Sequence, residues 1–434
     1  MTHNNQNWTA PRKDIFGFAM YDFANSAYTT VIITVLFGNI FWFYIVGDEQ
    51  QGNWLWSLAL GASYCLTVML APILGNALDH APRKKPYLAA MSALTILATA
   101  ALYWVQPGGL WLALLLICLS NIGFSLGEVV ISSFLPQLAS RTNMGRVSGY
   151  AWGLGYLGGI SSALVAMAVT GFGATQGDYE IKRWVGPLTA LFFFFACLPT
   201  FLLMKETPTP EAERTAKRGA WQSTIDAWHT LKQHKDMQWF LASYFSVYCG
   251  LAIVISFSFI YGEQVIGLSA TQAAALFVIL NLASAVGAVL FGVLQSRIGD
   301  KWVYNCTLVL WVIAVVSIYC VVPLSSALAD MGISVTGAQV FMACGGLAGA
   351  CLGATQSASR AITGVLSPAG KSGQFFSLWG LVTKLSAAVG LVAYGALQLW
   401  LGVHNAILLC AVFFIIGLVL TLGLNMQRGI ALAD

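Results

Sequence analysis

Long apolar runs broken by short polar turns follow one another along almost the whole chain. Charge-free stretches at 50–78, 86–127, 147–177, 237–262, 264–296 and 302–329, and again beyond Lys384, each hold one or two segments of the roughly 20 residues that cross a bilayer as a helix. Cutting them at Asn53, Pro86, Gly109, Gly145, Arg183, the polar stretch 205–236, Ser269, Lys301, Gly332, Lys371 and Gly402 predicts twelve helices, six on either side of that stretch. The expected fold is an all-α membrane protein of two six-helix bundles, 1–204 and 237–434, joined by a cytoplasmic linker at 205–236. Within the linker, Trp221, Ile225, Trp228 and Leu231 recur at helical spacing. They predict an amphipathic helix on the membrane surface, or simply an early start to the seventh helix.

The pattern also repeats at half-length. GNALDHAPRKK begins at Gly75 and GVLQSRIGDKW at Gly292, 217 positions apart in a chain of 434. Each follows an apolar run, opens on glycine, places a polar residue four positions on (Asp79, Ser296), turns, and closes on charges. Such a repeat implies two fused, parallel copies of one bundle, an organisation common among secondary transporters.

Composition agrees with the pattern: charged residues are 9% of the chain, against about 25% in soluble proteins. Placing the N-terminus inside puts every Lys and Arg except Lys182, Arg183 and Lys384 at the cytoplasmic face. Both termini and the linker are therefore expected in the cytoplasm, and the net charge of +4 reflects inside-positive loops rather than nucleic-acid binding. Residues 1–14 are polar and offer no cleavage site, so the first helix is expected to be the anchor. The nine cysteines stand singly with no CxxC, and the five histidines do not cluster with acids, so neither metal nor disulfide framework is expected. No P-loop, GxSxG or HExxH supports an enzyme or a nucleotide cofactor. Gly153, Gly155 and Gly158 spell GxGxxG, but within a membrane span and without a preceding strand, so they read as helix-packing glycines.

Polar side chains inside helices carry the candidate chemistry, because a charge at bilayer depth is costly and marks a pathway or a pair. The first helix has Asp22, Asn25 and Tyr28 on about one face, where Asp22 could bind a proton or a substrate amine, or could instead pair with a cytoplasmic arginine. Aligning the glycines that open the fifth and eleventh helices, Gly145 and Gly373, brings Glu128 of the fourth helix onto Gln356 of the tenth. Glu128 could pair with Arg83, Arg146 or Arg360 in an inner gate, or touch substrate. Lys384 is the one basic residue placed mid-membrane and could hold a substrate carboxylate or pair with an acid.

GNALDHAPRKK resembles the loop 2–3 signature of the major facilitator superfamily, and GVLQSRIGDK its degenerate second copy. Within that superfamily, YDFANSAYTTVIITVLF, LPQLASRTNMGRVSGYAWGLGYLGG, and GATQSASRA followed by SGQFFSLWGLVTKLS resemble the branch of the fungal vacuolar amino-acid effluxer of autophagy and its bacterial relatives. The resemblance implies a monomer in a bacterial inner membrane, with a central cavity lined by helices 1, 4, 7 and 10 and alternating access by rocking. It further implies that Asp79 faces the end of helix 11 and that Arg83 pairs with an acid low on helix 4, here Glu128. Pro82 stands where the superfamily usually has glycine, Ser296 replaces the second acid, and Tyr248 and Cys249 replace a polar pair of helix 7. The expected activity is secondary export of amino acids or similar small metabolites, with protons as a possible coupling partner and lipids as surroundings. Rival readings are an exporter of lipids or amphipathic drugs, a membrane receptor, and a polytopic enzyme.

Overall fold

The computed structural model describes residues 9–171, 175, 177–207 and 220–433. Among these, eleven helices are long and apolar enough to span a bilayer: α1 (Arg12–Val46), α2 (Glu49–His80), α3 (Lys85–Trp104), α4 (Leu110–Leu138), α5 (Met144–Thr170), α6 (Tyr179–Leu203), α7 (Lys235–Ile266), α8 (Ala270–Ile298), α9 (Asp300–Tyr319), α10 (Gly337–Leu366) and α11 (Ser372–Ala406). A twelfth, α12, is a pair bent by 63°, Leu408–Gly423 followed by Met426–Ala433. The protein is thus a multi-pass, all-helical membrane protein. The linker contains the helix Ala220–Gln233, in which Trp228 is exposed and Leu231 buried; the side chain of Trp221 lies outside the described residues.

Local chemistry sets where spans begin and end. Gly47 takes a left-handed conformation (φ 80°), and the Asp48 carboxylate accepts from Gln51 N–H at 2.7 Å, so α2 starts at Glu49, four residues before the Asn53 expected from the pattern. Ser269 with Gln272, and Thr336 with Gln339, form capping boxes that open α8 and α10. Gly402 (φ 73°) lies inside α11 as a break in the helix rather than at its end. In α1 the backbone widens into π-helical turns over Tyr28–Val35, where most residues are β-branched, and again over the aromatic-rich Phe41–Val46. There the Thr34 hydroxyl donates to the carbonyl five residues back, Thr29 O, at 2.9 Å.

The chain forms two compact units. The first comprises Met1–Arg141, Leu154–Ala227 and Ala369–Leu381; the second comprises Thr142–Gly153, Trp228–Pro368 and Val382–Asp434. In the first unit α2 packs on α4, α3 on α4, α1 on α6 and α3 on α6. In the second unit α8 packs on α10, α9 on α10, α7 on α12 and α9 on α12. The pairings are the same with every index raised by six, which is the half-length repeat expressed in packing.

Candidate functional site

On α1, Asp22 and Asn25 are each 7% exposed and Tyr28 is fully buried, although the surrounding span is apolar. Tyr28 Oη lies 2.8 Å from Ser120 Oγ of α4, and its ring stacks on Phe124. Asn25 Oδ1 has no hydrogen-bond partner among the described residues. Gly155 and Gly158 of α5 seat that helix directly on this stretch: a Cβ at Gly155 would lie 3.3 Å from Asp22 O, and one at Gly158 would overlap Phe23 O. Gly153 packs on Val289 in the second unit, so all three glycines of the GxGxxG run serve close helix approach. On α4, Asn121 donates to Ser63 Oγ at 2.6 Å. Glu128, two turns further along the same face, is half-buried, with Tyr21 and Tyr64 in electrostatic reach.

The turn after α2 is hydrogen-bonded to the start of α11. Gly373 N–H donates to Asp79 Oδ1 at 2.6 Å and Gln374 N–H to Oδ2 at 2.9 Å. The carboxylate thus caps the N-terminus of α11, where unpaired N–H groups and the helix dipole favour an anion. Backbone contact makes this possible: a Cβ on Gly75 would lie 2.7 Å from Gly373 O, and one on Gly373 would meet Gly75 O. Gln374 Nε2 adds a 3.3 Å bond to Asn76 Oδ1.

The buried cation of this turn is Lys84, while Arg83 beside it is exposed. Lys84 Nζ donates to Ser133 O at 3.2 Å and to Ser372 Oγ at 2.8 Å, tying the ends of α4 and α11 to the turn. Burial lowers the Lys84 pKa from the usual lysine value, with Asp79 and Glu206 acting in the opposite direction. Glu206, just beyond α6, accepts from Lys84 N–H and from Lys85 N–H, closing the turn from the other side. The sequence pattern marks Lys84 only as one of the charges that close the turn, beside Arg83, and gives Glu206 no part in it. One backbone carbonyl, Ser133 O, and one hydroxyl, Ser372 Oγ, select Lys84 among three adjacent basic residues, and both lie far away in the chain.

The second copy of the turn is built differently. A Cβ on Gly292 would lie 2.6 Å from Gly145 O, so α8 meets the start of α5 as closely as α2 meets α11. Ser296, the counterpart of Asp79, bonds only weakly within its own helix, to Gly292 O at 3.4 Å. Gln295 Nε2 donates instead to Asp300 Oδ1 at 2.7 Å, and Lys301 Nζ reaches Leu424 O at 2.7 Å.

The remaining candidates lie in the second unit. Arg360 is 1% exposed; its Nε donates to Ser148 Oγ and its Nη2 to Ser148 O, both at 3.1 Å, and its guanidinium lies 5.3 Å from the Trp152 ring centroid. These bonds fix the start of α5 to α10. Gln356, one turn before Arg360, is 9% exposed, and Lys384 of α11 is half-buried. Beside it, Thr383 Oγ1 lies 3.3 Å from Tyr244 Oη of α7. Arg146 is exposed and donates from Nε to Tyr150 Oη at 3.0 Å.

The chain is similar to known proteins along most of its length. An uncharacterized MFS-type transporter of Bacillus subtilis, YxiO, is 24% identical over 417 residues, covering 93% of this chain and 92% of that protein. Autophagy-related protein 22-1 of Penicillium rubens is 22% identical over 295 residues, covering 65% of this chain; the match spans half of that longer protein. Among solved structures, the proton:xylose symporter XylE bound to 6-bromo-6-deoxy-D-glucose superimposes with a TM-score of 0.70 at 12% identity, covering 97% of this chain and 98% of that one. At that identity the likeness speaks for the fold. The family described as vacuole effluxer Atg22 like matches residues 42–434. The chain belongs to that family and is a transporter of the major facilitator kind, not an enzyme.

Proposed function

We propose that the protein exports amino acids or similar small metabolites by alternating access, with proton exchange as the driving step. The observation that carries this reading is the buried pair Asp22 and Asn25 in an apolar span, with Asn25 Oδ1 unsatisfied. A carboxylate at that depth costs about 3 kcal/mol on insertion scales, and an open acceptor beside it suits a ligand ammonium or a proton carrier. Family membership supports efflux as the direction. In this reading Asp22 carries the proton, Asn25, Tyr28 and Gln356 contact substrate, and Lys384 binds the substrate carboxylate.

Asp79, with Lys84 and Glu206 around it, is the inner gate, released and remade in each cycle. Arg360 holds α5 to α10, while Glu128, Arg83 and Arg146 complete the gate in states where it rearranges. In this reading the termini and linker face the cytoplasm, the orientation that the distribution of Lys and Arg favours. The test is counterflow in proteoliposomes with a panel of labelled amino acids, with and without a pH gradient. Exchange of at least one amino acid, accelerated by the gradient and losing that acceleration in Asp22→Asn, is expected. No counterflow with any amino acid would overturn the substrate class, and gradient-driven exchange that survives Asp22→Asn would overturn the coupling role.

A further inference from the structure

We infer that the outer face of the α1–α6 pair is a docking site for one anionic phospholipid of the surrounding bilayer. An apolar groove of about 400 Å³ opens there, lined by Met20 and Phe23 of α1, Val165 of α5, and Leu188, Leu191 and Phe195 of α6. Its walls are firmly set: Phe23 stacks on Phe192 at 5.5 Å, and Gly158 holds α5 against Phe23 O. The volume falls in the range of small-molecule sites.

One end of the groove leads to a cluster of cations. Gly17 of α1 meets Met204 N, and Thr200 Oγ1 donates to Gly17 O at 2.7 Å, so the start of α1 and the end of α6 lie side by side. Arg12, Lys13 and Lys205 are exposed at that end, and Lys85 Nζ is held on Phe201 O at 3.1 Å. Among the described residues, the acids beside these cations are Asp14, which is buried, and Glu206, which accepts from Lys84 and Lys85 N–H, so four cations face two carboxylates already turned inward. Phe16, Met20 and Phe23 at i, i+4 and i+7 make a continuous apolar stripe from this cluster to the groove. Arg12 and Phe23 are about 16 Å apart along the helix, within the reach of an acyl chain whose headgroup sits at the membrane edge.

Apolar packing alone does not favour the groove over bulk lipid, since acyl chains are as apolar as its lining. Headgroup charge therefore sets the selectivity, and an anionic headgroup satisfies the cluster. The test uses the full chain in nanodiscs with phosphatidylglycerol or phosphatidylcholine probes bearing a photoreactive group in the acyl chain, with the labelled peptides mapped. Labelling of α1 and α6 by the phosphatidylglycerol probe is expected at about tenfold the phosphatidylcholine level. That preference should disappear in Arg12→Gln/Lys13→Gln/Lys205→Gln, whose changes are all at exposed positions, and labelling by either probe should fall in Val165→Trp, which fills the groove. Equal labelling by the two probes, or a preference that survives the triple substitution, would overturn the inference.

Discussion

At the scale of single residues, the turn after α2 concentrates its strongest bonds on one carboxylate. Asp79 accepts two backbone N–H groups of α11, and hydrogen bonds to a charged group contribute about 1.5–3 kcal/mol each. Asp79→Asn keeps one acceptor and loses the charge; counterflow is expected to fall about tenfold, the equivalent of one such bond. Lys84→Ala should impair transport comparably because it strips Ser133 O and Ser372 Oγ of their donor, whereas Arg83→Ala, at an exposed position, should stay within about twofold of the parent in the same assay. The difference between the two neighbours shows where sequence reading stops. A carboxylate four residues after a glycine stands out in an apolar chain. Which of Arg83, Lys84 and Lys85 turns inward depends on Ser133 and Ser372, whose proximity no local pattern encodes.

At the scale of elements, helix contact through glycine sets how closely the spans approach. Gly75 and Gly61 lie on the same helix in opposite circumstances: a Cβ on Gly75 would lie 2.5 Å from Ser377 Oγ and 2.7 Å from Gly373 O, while one on Gly61 would meet nothing within 4 Å among the described residues. Gly75→Ala should therefore lower the melting temperature through overpacking, typically about 1–3 kcal/mol, and Gly61→Ala should raise it slightly through helix propensity. Thermal unfolding of the two purified variants in one detergent checks both signs. Span positions were legible because length and apolarity fix them, and the expected breaks at Pro86, Gly145, Ser269 and Lys301 fall within two residues of the observed starts. The Asn53 break missed because a cap at Asp48, a local hydrogen bond, decided it.

At the scale of the molecule, the half-length repeat is the most informative feature of the sequence, and the four helix pairings of the first unit recur in the second with every index raised by six. The repeat does not extend to the chemistry of the two turns. Asp79 caps α11, whereas Ser296 stays on its own helix and Asp300 bonds to Gln295. Restoring an acid by Ser296→Asp supplies a carboxylate four residues after Gly292, as Asp79 stands after Gly75, and transport should change by more than twofold if that turn takes part in gating. With both termini inside, a membrane-impermeant thiol reagent on intact cells should label Asp330→Cys above the parent level and leave Arg297→Cys at that level. The opposite pattern would reverse the proposed topology.

The π-helical turns of α1 have a consequence for how that helix tolerates change in length. A π turn is an α-helix carrying one extra residue. Deleting one residue between Tyr28 and Val35 would let the turn tighten to α geometry and leave Asp22 and Phe37 on their present faces. The same deletion a few residues earlier, among Phe16–Met20, would rotate everything beyond it by about 100°. The first deletion is expected to give folded, membrane-inserted protein and the second to abolish it.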